Sequence, residues 1–209
     1  MSSVHLVWAT PNAEQVIAYC ARVSNPANQN NEQTAPKLLK YLQEHKHWSP
    51  FEMASVCLEI NTTRDIARQI LRHRSFSFQE FSQRYAEVQG FAEPEEPRLQ
   101  DHKNRQNSLE TEDEYLNQWW KMMQVRMGHE ADMLYKMALE KGIAKEVARK
   151  LLPEGLTMSR MYMSGTVRSW MHYLDVRSGP DTQKEHRDVA DKCRNELKLV
   201  LPSIIGGVS

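Results

Sequence analysis

Apolar residues recur along most of this chain at three- and four-residue intervals, and in two short runs at every second position. The alternating runs are residues 5–8 and 51–60, the second carrying Met53, Val56, Leu58 and Ile60, and each predicts a half-buried strand. Between them Thr10 and Pro11 form an N-cap and first-turn pair, which opens a helix to about Arg22 with Ile17, Cys20 and Ala21 inward. The Asn- and Gln-rich stretch 24–32 reads as a turn. Thr34 and Pro36 then start a second helix through Leu38, Leu39 and Leu42 to about Lys46. Thr62, three residues before Asp65, has capping-box spacing and starts a short helix with Ile66, Ile70 and Leu71 inward. That helix delivers Arg72, after which the chain continues as an irregular or extended segment.

Residues 90–107, with Pro94, Pro97 and mixed charge, form the least structured part and read as an exposed excursion. A long helix follows over 115–141, apolar at Trp119, Met123, Met127, Leu134 and Met137 and ended by Gly142; these positions pack in the core or against another subunit. A shorter helix, 145–152, stops at Pro153. Over 166–176 a stripe of Val167, Trp170, Met171 and Leu174 leaves Arg168, His172 and Asp175 together on another face. The last helix, 182–200, turns Val189, Cys193, Leu197 and Val200 inward, and Pro202 follows it.

At 209 residues the chain is expected to form one domain, 1–209. Lys plus Arg and Asp plus Glu number 27 each, so no overall charge bias points to nucleic acid or an anionic membrane. No apolar run is long enough to span a bilayer and the first residues lack a signal-peptide pattern, which predicts a cytoplasmic protein. Cys20, Cys57 and Cys193 are isolated, and Cys57 and Cys193 fall at apolar positions, where a thiol is a small core hydrophobe. His45 beside His47 lacks further ligands at metal-site spacing, so no metal is expected. No GxGxxG or Walker A run occurs, so any dinucleotide must be held differently.

The run 72–84, RHRSFSFQEFSQR, concentrates Arg72, Arg74, Arg84, His73, Glu80 and Ser82, with Phe76, Phe78 and Phe81 between them. Guanidinium forks at fixed spacing suit phosphates. The competing readings are a solvated basic patch and an RNA or single-stranded nucleic-acid module that stacks bases on the aromatics of 72–85. RHR, seven residues and then Ser resembles the signature of the flavin-dependent thymidylate synthases, and three further blocks resemble that family: His47 to Glu52, Glu146 to Pro153 and Thr166 to Arg177.

The resemblance implies an α+β fold with a mostly antiparallel sheet flanked by helices, and a homotetramer whose active sites are shared between subunits. It implies FAD as cofactor, with methylenetetrahydrofolate and NADPH as cosubstrates and dUMP as the nucleotide methylated. His47, Ser49, Arg72, His73, Arg74, Glu80, Thr166, Arg168 and His172 would then contact FAD, with His47 also near folate. Gln69, Arg72, Glu80, Phe81, Ser82, Gln83, Arg84, Arg149 and Arg177 would contact dUMP. Arg177 matches the arginine that activates the base: a fixed cation beside the pyrimidine imide favours its deprotonated form and enriches the carbon to be methylated. No histidine–aspartate pair at recognisable spacing activates Ser82, which favours ligand binding over a nucleophile's role. A flavin reductase that has lost methyl transfer is a further alternative, against which the presence of Glu80 and Arg177 argues.

Overall fold

The computed structural model of the chain describes residues 2–88 and 90–206. Strands β1 (Ser3–Ala9), β2 (Ser55–Thr63), β3 (Ser77–Glu80) and β6 (Met158–Thr166) form one sheet in the order β1-β2-β6-β3, antiparallel throughout. β4 (Arg98–Gln100) and β5 (Ser108–Glu110) pair separately as a hairpin. The expected α+β class with an antiparallel sheet and flanking helices is what the chain adopts.

Val4, Leu6, Val56, Leu58, Ile60, Met161 and Met163 lie opposite one another in the β1-β2-β6 register and so share one face of the sheet. Helices α3 (Arg64–Ile70), α6 (Val167–Arg177) and α7 (Lys184–Val200) pack on these strands, with α1 (Ala13–Ala21), α2 (Ala35–Glu44) and the terminal α8 (Pro202–Ile205) extending the layer. Trp170 of α6, fully buried, donates its indole N–H to the Val56 carbonyl at 3.0 Å and ties the helix to the ladder. Cys57 and Cys193 are buried, and burial pushes both thiols up, which suits packing and not nucleophilic chemistry. No helix among the described residues is long and apolar enough to cross a membrane.

Several local expectations shift. Thr10 does not cap α1: its hydroxyl accepts from Ser55 N–H at 2.9 Å, and Asn12, in the left-handed region at φ 50°, precedes the helix instead. Residues Ser49–Glu52 form a 3-10 turn that buries Phe51, so β2 begins at Ser55, and Met53 faces outward. Thr62 stays within β2, bonded to the Ser2 hydroxyl, and no side-chain cap starts α3. The excursion 90–107 is more ordered than its composition suggests, because Asp101 accepts from the Lys103 and Asn104 N–H groups and from Asn107 Nδ2, closing the β4–β5 loop.

The long helix α4 (Glu114–Glu140) starts on an Asp113 cap and stops before Gly142 at φ 80°. Within the chain it packs through Gln124, Gly128, Ala131, Tyr135 and Ala138, which are buried, while Trp119, Met127, Leu134 and Met137 are exposed and so lie outside this core. The short α5 (Lys145–Ala148) continues into a 3-10 turn, Arg149–Leu151.

Gly165 in β6 has a packing role. A Cβ there would overlap the ring of Phe76, which lies edge-on to Trp170 with centroids 4.8 Å apart. The absent side chain therefore lets the turn after Arg74 settle against the sheet. Gly165→Ala is expected to cost about 1–3 kcal/mol in urea unfolding, with Phe76→Leu in the same chain recovering part of it. Equal losses in the single and double variants would contradict this packing account.

Candidate active site

β2 runs directly into α3, and β6 runs directly into α6. Thr63 pairs with Met158 and Ser55 with Thr166, so the two helices start at opposite ends of the same ladder. Running back across the sheet, they bring their C-terminal ends together. Arg72 N–H and His73 N–H bond to the Gln69 and Ile70 carbonyls, tightening the end of α3 into a turn that exposes Arg72 and Arg74 and draws His73 inward. Arg177, the last residue of α6, donates Nε to His73 Nε2 at 2.9 Å.

That bond defines the first cluster: Gln69, Arg72, His73, Arg74 and Arg177. Because His73 Nε2 accepts, the ring is neutral and protonated on Nδ1. Burial and then the Arg177 cation hold its pKa down at about 4. Tyr173 packs edge-on to His73 with ring centroids 5.0 Å apart. Ser169 Oγ donates to the Ser75 carbonyl at 3.2 Å, a second tie between α6 and the turn.

The second cluster lies at the other end of α6. Arg168 Nη1 meets Glu52 Oε1 at 2.6 Å, and His172 stands edge-on to Trp48 at 4.8 Å, so the 3-10 turn carrying Ser49 sits against α6. His47 and Ser49 are exposed beside it. A cavity of about 560 Å³ opens here, lined by Trp48, Met171, His172, Leu174, Lys46 and Arg194 among others. Thr166 accepts from Ser169 N–H at 3.2 Å, so its hydroxyl is committed to capping α6.

A third cluster gathers beyond β3. Arg84 donates Nε to Glu146 Oε2 at 3.3 Å, and Arg149 donates Nε to the Glu146 carbonyl at 3.2 Å, which brings two guanidiniums to one residue. Ser82 Oγ accepts from Arg84 N–H, and Phe81 is half-buried beside it. Gln83 is buried, with Nε2 unpartnered. Between the first and third clusters Glu80 ends β3, accepting from Ser159 Oγ at 2.7 Å with Arg64 3.6 Å away.

Sequence reasoning missed the partners that hold these groups: Glu52, Arg64, Ser159, Ser169, Tyr173 and His186. Only His186 carried a visible signal, as a polar residue in the inward stripe of α7 with Val189, Cys193 and Leu197. It is fully buried, and its Nδ1 lies 3.2 Å from Gln69 Oε1.

The described residues bring the expected site residues into three clusters of complementary chemistry: a neutral imidazole locked to a guanidinium, an aromatic-walled cavity with cations at its edge, and a guanidinium pair. The family model of the thymidylate synthase complementing protein matches residues 5–203. The chain is 54% identical over 192 residues to a probable flavin-dependent thymidylate synthase of Paramecium bursaria Chlorella virus 1, covering 92% of this chain and 88% of the relative. It is 51% identical over 191 residues to a flavin-dependent thymidylate synthase of Synechocystis, covering 91% and 87%. Among solved structures, a UMP/dUMP methylase from Streptomyces cacaoi bound with 5-Br dUMP superposes with a TM-score of 0.82 at 27% identity, over 99% of this chain and 93% of that one.

Burial, followed by the charge of Arg177 and by His73, lowers His186 to about 3. An unfolded histidine titrates near 6.5, so below that pH the unfolded state binds the proton that the folded state refuses. The contribution of His186 is therefore present above about pH 6.5 and is lost as pH falls toward 3, with a slope of up to about 1.4 kcal/mol per unit. Denaturant unfolding across this range should show stability falling with acid, and His186→Asn should flatten the slope by that share. An unchanged slope in the variant would refute the assignment.

Proposed function

The chain belongs to the thymidylate synthase complementing protein family, the flavin-dependent thymidylate synthases, and on that premise we propose that it methylates dUMP reductively to dTMP. FAD is the bound cofactor in this reading, methylenetetrahydrofolate the carbon donor and NADPH the reductant. The enzyme acts as one domain, 1–209, in the cytoplasm of a microbe, or of the host cell if its source is viral. The observation that carries the reading is the Arg177–His73 bond beside Gln69, Arg72 and Arg74.

Arg177 is the residue assigned to activate the base. Its Nε is spent on His73, which fixes the plane of the guanidinium and leaves both terminal nitrogens outside that bond. A cation so fixed stabilises the deprotonated imide of uracil and raises electron density at the carbon that is methylated. Arg84 and Arg149 supply a two-guanidinium site for the phosphate, with the Ser82 hydroxyl beside them. Glu80, anchored by Ser159 and Arg64, presents a carboxylate between base and phosphate sites.

The donor set fits a flavin. Trp48 and His172 offer flat faces at a cavity edged by Lys46 and Arg194, and Arg72, Arg74 and Arg168 offer cations to an anionic ring or pyrophosphate. His47, Ser49, Arg72, His73, Arg74, Glu80, Arg168 and His172 would hold it. When bound, FAD supplies the redox chemistry and one-carbon relay that side chains cannot.

Homotetramerisation completes the site in this reading. The three clusters lie apart within one chain, and α4 exposes Trp119, Trp120, Met122, Val125 and Met127. Apolar exposure on that scale favours burial against other subunits. The purified protein should elute at four-subunit mass, and Trp119→Glu with Val125→Glu should lower that mass; a wild-type monomer that makes dTMP would overturn the shared-site assembly.

The function is tested by an anaerobic assay for dTMP with dUMP, methylenetetrahydrofolate, NADPH and FAD present and each omitted in turn. Arg177→Ala should lower dTMP formation by about 10²–10³-fold, while FAD absorbance and folding persist. Loss of FAD in that variant would overturn the division of roles.

A further inference from the structure

Tyr173, His186, Gln69 and Gln183 form a hydrogen-bonded chain at the meeting point of α3, α6 and α7. Tyr173 Oη lies 3.1 Å from His186 Nε2, His186 Nδ1 lies 3.2 Å from Gln69 Oε1, and Gln69 Nε2 donates to Gln183 Oε1 at 2.7 Å. The donor logic runs one way. An amide oxygen only accepts, so Nδ1 of His186 carries the proton; Nε2 is then bare, and the Tyr173 hydroxyl donates to it. Both ring nitrogens are satisfied, as a fully buried imidazole requires. His186 is neutral, and Tyr173 is 1% exposed with its hydroxyl pushed well up by burial, so neither ionisable member of the chain titrates in ordinary assay conditions.

We infer that His186, held by Tyr173, is a positioning residue for base recognition: it fixes the Gln69 carboxamide with its oxygen inward and its NH₂ toward the nucleotide. The inference rests on the reading above in which Gln69 contacts dUMP. Gln69 stands on α3 one turn before His73, where its amide end reaches the surface while its oxygen is held from within. An untethered glutamine amide rotates and offers either a donor or an acceptor. Tethered, it offers only N–H, which pairs with a pyrimidine carbonyl and opposes an exocyclic amine at the same place. The relay is thus a selectivity element for uracil over cytosine nucleotides, in which His186 stands one side chain removed from the ligand on α7, a helix that carries none of the assigned contacts.

The proposal is tested on the FAD-loaded enzyme by equilibrium titration with dUMP and dCMP, which needs no turnover. His186→Leu should weaken dUMP about tenfold and narrow the preference for dUMP over dCMP, with FAD absorbance and subunit assembly unchanged. His186→Asn places an amide N–H where Nδ1 was and should recover most of that affinity, whereas Tyr173→Phe should fall between. In steady state the loss should appear in KM for dUMP, not in kcat. Imidazole ¹⁵N shifts should report the Nδ1–H tautomer for His186. Equal behaviour of the Leu and Asn variants, an unchanged dUMP to dCMP ratio, or an Nε2–H tautomer would overturn the proposal. A wild-type enzyme that binds dUMP but forms no dTMP would instead refute the catalytic reading alone, and Gln69→Ala with unaltered dUMP affinity would refute the contact on which the inference rests.

Discussion

The nine-residue pairing of β2 with β6 is the constraint on which the rest depends. Because the strands are antiparallel and each runs without a loop into a helix, α3 and α6 leave the ladder at opposite ends and return toward each other. Nine strand residues span about 30 Å, and the seven residues of α3 with the eleven of α6 together come to about 27 Å at 1.5 Å per helical residue. The helix lengths thus bring the two C-termini into contact over the sheet. A slip of one residue would put Met161 and Met163 on the opposite face of the sheet and separate Arg177 from His73.

The contact gathers cations where helix C-termini favour them. Arg72 and Arg74 follow the end of α3 and Arg177 closes α6, so the negative ends of both helix dipoles moderate the repulsion among three guanidiniums. His73 and His186 add no further charge there, because burial and then the Arg177 cation hold both imidazoles neutral. Their neutrality has a use. A neutral His73 accepts from Arg177 Nε, and a neutral His186 donates one proton and accepts another, so two imidazoles orient a guanidinium and an amide without adding charge.

The parts legible in the sequence were those set by local signals. Gly142 and Pro202 mark helix ends, and the RHR…Ser run is the segment that joins the first and third clusters. Non-local effects account for the rest. Thr10 has the chemistry of an N-cap, yet Ser55, forty-five residues away, takes its hydroxyl. Strand β6 escaped notice because Met158 and Tyr162 interrupt an alternation otherwise carried by Met161 and Met163, and methionine is a weak strand marker. Along α4 hydropathy selects the large side chains, whereas the packed face is built from Gly128, Ala131 and Ala138, which allow close approach. The pairs Arg168–Glu52 and Glu80–Ser159 join residues 116 and 79 positions apart, a distance no local pattern encodes.

The seven residues between RHR and Ser82 follow from the same geometry. Ser75 and Phe76 turn the chain off the end of α3, and Gly165 leaves room for the Phe76 ring against Trp170. Residues 77–80 then pair with Ser164 back to Met161 along β6, advancing about 13 Å. Phe81 N–H extends the pairing to the Arg160 carbonyl, and Ser82 is the first residue beyond it. A shorter spacer would leave Ser82 inside the ladder, its backbone bound to β6; one more residue would move Glu80 off Ser159. On the proposed reading this strand sets the separation of base and phosphate sites, so the motif's spacing measures an edge strand as much as it does a ligand.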